Sequence, residues 1–143
     1  MVRPDGYLLI CERWQISGAW QFPQGGVDDG ESLLEALKRE VFEEIGLRPV
    51  DYDILESKGG YRYLYPDEVR KRKVKKHGCA GQEQTYFLCE VLPTAPEVNT
   101  NQKPREFGKH CWIHPEDFDL GWVPAFKRDV YRQVMKDFFE LDL

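Results

Sequence analysis

Residues 25 to 47 read GGVDDGESLLEALKREVFEEIGL, a Gly- and Asp-rich turn followed by a run of helical periodicity. The periodicity predicts a helix over residues 32 to 45 with one apolar stripe turned inward. That stripe consists of Leu34, Leu37, Val41 and Ile45. Gly46, directly after it, is typical of the residue that ends a helix.

Three glutamates lie on another face of this predicted helix. Glu40, Glu43 and Glu44 are spaced i, i+3 and i+4, so their carboxylates converge. They lie about 100° around the helix from the apolar stripe. Clustered carboxylates repel one another unless a cation neutralises them, and hard oxygen ligands suit Mg²⁺ or Mn²⁺. The alternative interpretation is an acidic helix face exposed to water.

The same stretch carries a longer fixed pattern. Its members are Gly25, Glu31, Arg39, Glu40, Val41, Glu43, Glu44, Gly46 and Leu47. This spacing is that of the Nudix box, and the chain resembles the Nudix hydrolases. The resemblance implies a Mg²⁺-dependent enzyme that hydrolyses phosphoanhydride bonds, with Glu40, Glu43 and Glu44 as metal ligands. Glu43 and Glu44 would also be catalytic, and Arg39 would pair with Glu31 in a structural role.

Three further segments resemble one branch of that family, the RNA pyrophosphohydrolases and dinucleoside polyphosphate hydrolases. They are WQFPQGG at 20 to 26, GQEQTYFL at 81 to 88, and the stretch from Phe126 to Phe138. Similarity at Tyr61 to Pro66 extends the match over nearly the whole chain. The resemblance implies a nucleotide polyphosphate or the 5′ end of RNA as substrate.

A glutamate outside the box completes the expected catalytic set. By resemblance Glu106 would be a further metal ligand or a base, with Glu97 as its nearest rival and Glu83 as a weaker one. Either Glu44 or Glu106 would accept the proton of the attacking water.

Six positions are expected to bind substrate: Arg13, Gln24, Gly25, Gln82, Phe126 and Lys127. The loop at 22 to 26 supplies backbone that can approach a phosphate closely. Phe126 and Lys127 match positions that meet the 5′ nucleotide, although an ordinary helix start explains them equally well. Arg13 is otherwise a surface arginine, and the basic segment at 70 to 76 either contacts RNA phosphates or is a solvated loop.

Size and composition favour one soluble domain over residues 1–143. The net charge of −5 gives no general attraction to nucleic acid. No apolar run approaches the roughly 20 residues that span a bilayer, so no membrane association is expected and the cytoplasm is the expected compartment. The four cysteines (Cys11, Cys79, Cys89 and Cys111) are expected to be reduced thiols.

The order of elements predicts an α/β (α+β) fold, and the resemblance implies the Nudix α/β/α sandwich with a mixed sheet. Strands are predicted at 7 to 11, 50 to 57, 60 to 65, 85 to 92 and 111 to 113, and a second helix from Phe126 to Leu141. That helix would turn Val130, Val134, Phe138 and Leu141 inward. Only Met1 to Arg3 precede the Pro4-Asp5-Gly6 turn, where relatives carry a central strand. Either the sheet lacks that strand, or the native chain begins upstream, or the chain is shortened.

Three other functions compete with the main one. The first is hydrolysis of another nucleoside diphosphate derivative, such as a nucleoside triphosphate or ADP-ribose. The second is a non-catalytic ligand-binding module, which the complete set of box glutamates disfavours. The third is other chemistry on the same fold, such as isopentenyl diphosphate isomerisation or mismatch adenine excision. An isomerase needs a reactive cysteine in the site, and Cys79 and Cys89 lie away from the box.

Overall fold

The computed structural model describes the backbone of residues 1–77 and 80–143 and the side chains of residues 1–72 and 80–143. The strands are β1 (Leu8–Arg13), β2 (Trp20–Gln21), β3 (Tyr52–Leu64), β4 (Gly81–Val91) and β5 (Phe107–Ile113). The helices are α1 (Leu33–Ile45), α2 (Asp67–His77) and α3 (Arg128–Phe139). Strands β2, β1 and β5 form an antiparallel sheet in that order, and β3 pairs with β4. This mixture confirms the α+β class.

The chain forms two compact units. The first comprises residues 1–56 and 88–118, and the second comprises residues 57–87 and 119–143. The largest fully buried side chains of the first unit are Leu9, Cys11, Ile45, Leu47 and Cys89. Those of the second unit are Val123, Val130, Tyr131 and Met135. No helix in the described segments is both long enough and apolar enough to cross a lipid bilayer.

The first three residues of the chain lie beside two strands of the first unit. Val2 forms a bridge to Leu8 of β1 and a parallel bridge to Glu90 of β4. Its N–H donates to the Cys89 carbonyl at 2.8 Å, and its carbonyl accepts from the Val91 N–H at 2.8 Å. Residues 1–3 are therefore hydrogen-bonded beside β1 and β4. They precede the Pro4-Asp5-Gly6 turn, where the family resemblance implies a longer strand.

Helix α1 begins and ends close to the predicted residues. Val41 and Ile45 are buried as expected, and Ala36 and Glu44 are buried as well. The prediction that Leu34 faces inward was wrong, since 42% of its surface is exposed. The first turn of α1 projects into solvent, and the helix packs mainly through its C-terminal half.

Strand β3 continues through the Gly59–Gly60 pair, so the prediction of two separate strands at 50 to 57 and 60 to 65 was wrong. Gly60 has φ +85°, which a glycine adopts without strain, and a β-carbon built at Gly59 would lie 3.0 Å from Thr85 Oγ1. A pair of glycines can mark either a turn or a point where a neighbouring strand approaches closely, and here it marks the close approach.

The remaining element boundaries differ by a few residues. Strands β4 and β5 both begin four residues earlier than predicted, at Gly81 and Phe107. A 3₁₀ turn (Ala125–Lys127) precedes α3, which buries Val130 and Val134 and leaves Phe138 half-buried. The basic segment belongs to helix α2, although its side chains from residue 73 onward lie outside the described part.

The described cysteines are free thiols. Cys11 and Cys89 are buried, and Cys111 is exposed. Cys79 lies outside the described residues.

Candidate active site

Helix α1 is capped at both ends by local interactions. The Glu35 N–H donates to Ser32 Oγ at 3.1 Å, and the Ser32 N–H donates back to Glu35 Oε1 at 3.3 Å. This reciprocal pair satisfies two of the N–H groups that a helix start leaves without partners. Gly46, with φ 74°, ends the helix in the left-handed region. The caps set the register that brings the box glutamates to the last turns of α1.

Arg39 connects the turn before α1 to the helix itself. Its Nε and Nη2 donate to the two carboxylate oxygens of Glu31 at 2.7 and 2.9 Å. Nη2 also donates to the Gly26 carbonyl at 2.8 Å. Nη1 donates to Glu40 at 2.7 Å and to Glu43 at 3.1 Å. A planar guanidinium with several donors can make all of these contacts, whereas a lysine ammonium cannot match its fork geometry.

Glu31 is held in its ionised form by these contacts. It accepts two hydrogen bonds from Arg39 and one from the Asp28 N–H at 3.0 Å. The Arg39 guanidinium first, and the Asp28 N–H second, lower the pKa of Glu31 to about 2. The hydrogen bonds that Arg39 donates to Glu31 and Glu40 in turn raise the pKa of Arg39. The ion pair therefore stays charged over the range in which proteins fold.

Two box carboxylates, those of Glu40 and Glu44, contact the loop before the helix. A β-carbon built at Gly25 would overlap the Glu40 carboxylate, well inside the 3.0 Å that real β-carbons keep. The Gln24 N–H donates to Glu44 Oε2 at 3.2 Å. A side chain at position 25 would therefore force the Glu40 carboxylate to move away from the loop backbone.

Glu44 is the most deeply buried of the glutamates, with 2% of its surface exposed. Burial first, and then the hydrogen bond and negative charge of Glu40 and the charge of Glu106, raise the pKa of Glu44 to about 10. The Glu40 and Glu106 carboxylates are therefore close enough to disfavour the ionisation of Glu44. A cation beside them would reverse that effect by favouring the charged forms.

These residues fit a divalent cation chemically. Their donors are carboxylate oxygens, which Mg²⁺ and Mn²⁺ prefer. Gln24 adds an oxygen, Oε1, that is buried and has no hydrogen-bond partner within the described residues. A buried oxygen without a donor is unfavourable unless another partner satisfies it, and an ion is one such partner.

The carboxylates are nevertheless not arranged as a finished ion site. Within the segments that the structure describes, no three His, Cys, Asp or Glu side chains are grouped closely enough to hold an ion. The physical reason lies in Arg39, which engages oxygens of both Glu40 and Glu43. Glu43 is also the more exposed of these two, with 57% of its side-chain surface accessible.

Of the three candidates for the extra glutamate, Glu106 is the one whose charge raises the pKa of Glu44. It is exposed and directly precedes β5. Glu97 is exposed in the irregular segment between β4 and β5. Glu83 belongs to the second unit and pairs with Arg62 at 3.1 Å. Within the first unit, the structure therefore places the Glu106 charge close enough to act on Glu44.

Arg13, the last residue of β1, is exposed. Its N–H donates to the Ala19 carbonyl at 2.9 Å, and it pairs with Phe107 across the sheet. Its backbone position is thus fixed at the end of a strand, while its side chain is accessible to a ligand.

Gln82, Phe126 and Lys127 belong to the second unit. Gln82 accepts a hydrogen bond from the Tyr63 hydroxyl, and the Phe126 ring centroid lies 5.5 Å from that of Tyr63. Lys127 Nζ lies 5.7 Å from the Tyr63 centroid and 5.8 Å from the Phe126 centroid. Tyr63 is a contact residue that sequence reasoning did not select, although the alternation of Tyr61, Tyr63 and Tyr65 in a strand indicates a shared face.

Comparison with known proteins agrees with this geometry. Residues 1–137 match the family model of the NUDIX domain. The RNA pyrophosphohydrolase of Shewanella pealeana is 41% identical over 154 aligned positions, covering 96% of this chain and 87% of that protein. That of Shewanella denitrificans is 39% identical over 153 positions, covering 96% and 88%.

Solved structures share the fold at lower identity. A binary complex of the C. elegans Ap4A hydrolase matches with a TM-score of 0.62 and 19% identity, over 94% of this chain and 88% of that one. The E. coli dihydroneopterin triphosphate pyrophosphohydrolase matches with a TM-score of 0.64 and 17% identity, over 96% and 90%. With the family model, the close relatives and the box geometry in agreement, the chain belongs to the Nudix family.

Proposed function

We propose that this protein is a divalent-cation-dependent pyrophosphohydrolase that acts on the 5′ polyphosphate of RNA or on dinucleoside polyphosphates. The observation that carries the proposal is the seating of the Glu40 and Glu44 carboxylates on the backbone of Gln24 and Gly25. The names and identity of the relatives support it, because RNA pyrophosphohydrolases match 96% of the chain.

Glu40, Glu43, Glu44 and Glu106 are the proposed metal ligands, for Mg²⁺ or alternatively Mn²⁺. A bound cation of this type neutralises negative charge on the phosphate oxygens and lowers the pKa of water beside it. The carboxylates of Glu40 and Glu44 are preplaced against the loop, while Arg39 and Glu31 hold that loop on the helix. This support keeps the ligands in position while substrate enters and leaves.

The proposed catalytic groups are Glu43, Glu44 and Glu106. Glu106 is exposed, so it can pass a proton from an attacking water to solvent. Glu44 is buried against Gln24, so it exchanges protons with bulk water less readily than Glu106 and is better suited to act as a ligand beside a bound cation. We assign the proton-accepting role to Glu106 first and to Glu44 as its competitor.

The proposed substrate-binding groups are Arg13, Gln24, Gly25, Gln82, Phe126 and Lys127. In the second unit, a lysine ammonium beside two aromatic rings combines a phosphate-binding charge with surfaces on which a base can stack. Arg13 offers an exposed guanidinium for phosphate. We further propose that the basic residues 70 to 76 contact RNA phosphates and that the protein works in the cytoplasm.

The experiment is a side-by-side comparison of kcat/KM for triphosphorylated RNA and diadenosine tetraphosphate, with Mg²⁺ and with a chelator. Glu44→Gln should lower kcat/KM by about a hundredfold or more, since it removes a charged group from the reaction site. Glu35→Gln is the matched control on the same helix, because glutamine also completes a capping box. RNA products should be the 5′-monophosphate with pyrophosphate or successive phosphates.

Two results would contradict this function. Hydrolysis of nucleoside triphosphates or ADP-ribose in preference to both proposed substrates would assign another nucleotide derivative. Tight Mg²⁺-dependent nucleotide binding without any turnover would identify a binding module instead of an enzyme.

A further inference from the structure

An exposed tryptophan and an arginine bracket the segment that carries Glu106. The Arg105 guanidinium carbon lies 4.1 Å from the centroid of the Trp14 ring. The backbone N–H of Trp14 donates to the Glu106 carbonyl at 2.9 Å, and the side-chain Nε of Arg105 donates to the Phe107 carbonyl at 2.9 Å. The two residues are thus joined to each other and to the consecutive carbonyls of Glu106 and Phe107.

The backbone at this point is irregular, so it needs support from side chains. Pairing between β1 and β5 shifts register between Cys11 and Arg13, opposite the start of β5. Such bulges interrupt the ladder and re-aim the side chains next to them. A β-carbon built at Gly108 would lie 3.4 Å from a Trp14 ring carbon, so the ring also covers the residue after the bulge.

We propose that Trp14 and Arg105 are positioning residues for the Glu106 carboxylate. This inference rests on the function proposed above, in which Glu106 acts at the phosphate-cleaving site. The stack of guanidinium on indole closes a clasp around the peptide that follows Glu106. Opening the clasp lets the start of β5 move relative to the box glutamates, and a displacement of about 1 Å can lower a rate by about a hundredfold.

The test compares Arg105→Gln and Trp14→Leu, which open the clasp, with Trp14→Phe, which keeps an aromatic surface. Opening should weaken Mg²⁺ binding, measured calorimetrically with the metal alone, and lower kcat by about tenfold while KM changes by less than about twofold. Trp14→Phe should retain most of the Mg²⁺ affinity and most of the wild-type kcat. Arg48→Gln is the matched control, since the Arg48 guanidinium also lies beside an aromatic ring, 6.0 Å from the centroid of Phe42.

A double-mutant cycle separates positioning from general loss of structure. In a Glu106→Gln background, Arg105→Gln should have little further effect on Mg²⁺ affinity or kcat, because its target is already gone. Equal losses in both backgrounds, or wild-type values for Arg105→Gln alone, would overturn the proposal. If the wild-type chain neither binds Mg²⁺ nor hydrolyses either substrate, the proposed function fails and this inference fails with it. If the wild type is active and the effects of Arg105→Gln and Glu106→Gln are additive, only the positioning role is refuted and the proposed function stands.

Discussion

The carboxylate of Glu40 occupies the space that a side chain at Gly25 would fill. A larger residue in the loop before the helix would therefore displace a glutamate on helix α1. The relationship explains in steric terms why the box pattern begins with a glycine: the side chain fifteen residues later lies on its backbone. It also means that the loop and the carboxylate can be tested as one unit.

Gly25→Ala should displace the Glu40 carboxylate or the loop, because the new methyl group has no room. A shift of about 1 Å at a reaction centre can lower the rate by about a hundredfold, and kcat/KM of the variant should fall toward that value. Gly26→Ala is a close control, since a β-carbon there meets nothing within 4 Å. Similar activities for the two variants would show that Glu40 relocates without consequence.

Arg39→Lys should loosen the loop from the helix. A lysine keeps the charge but cannot donate at once to Glu31, Glu40 and the Gly26 carbonyl, as the guanidinium does. The melting temperature should fall by about 4 °C, measured by circular dichroism, and the apparent affinity for Mg²⁺ should fall as well. Lys38→Arg exchanges the same two side chains at the neighbouring exposed position and should leave both quantities unchanged. An unaltered Tm for Arg39→Lys would show that charge alone suffices.

Helix α1 was predictable because its signals act over a few residues. Gly46 ends it as the sequence indicates, and the period of Val41 and Ile45 places its buried side. The exposure of Leu34 was not predictable, since periodicity defines a stripe but does not say how far along the helix the stripe is covered. The close approach of Thr85 to Gly59 of β3 was not predictable either, since the two residues are distant in sequence.

The sequence pattern identified the box residues of the candidate site, but not the residues that reach the site through tertiary contacts. The box supplied Glu40 and Glu44, and the family resemblance placed Glu106 before Glu97 and Glu83; the structure adds that the Glu106 charge raises the pKa of Glu44. Trp14, ninety residues earlier in the chain, contacts the Glu106 backbone through a sheet pairing that no spacing rule predicts. Residues that support a catalytic group through tertiary contacts are generally invisible to motif analysis for this reason.

Ser32→Ala should lower the free energy of unfolding by about 1 kcal/mol, the usual effect of losing an N-cap side chain. The serine hydroxyl accepts from the Glu35 N–H at 3.1 Å, and an alanine would leave that N–H to water. Urea denaturation measures the change. Ser17→Ala, in the exposed turn between β1 and β2, serves as the comparison and should have little effect. If the two substitutions are equally mild, the capping box contributes nothing to the stability of α1.

The stability of the second unit should depend on pH through Asp137. Lys58 first, and then the Tyr61 hydroxyl, lower the pKa of Asp137 through hydrogen bonds of 2.8 and 2.7 Å. The folded pKa lies below the ordinary value of 3.8, so the stabilisation is fully present above that pH. It is lost as the pH falls through the folded pKa. Wild type should therefore melt above Asp137→Asn near neutrality, and the difference in Tm should shrink below pH 3.8.

Lys58→Gln supplies the internal comparison for this titration. Once the lysine is gone, Asp137→Asn should shift Tm by less, because the first cause of the lowered pKa has been removed. A gap between wild type and Asp137→Asn that stays constant down to pH 2 would argue against a charged contact, since a protonated aspartic acid cannot sustain it. The Lys58 pairing is partly exposed, so added salt should reduce the gap without abolishing it.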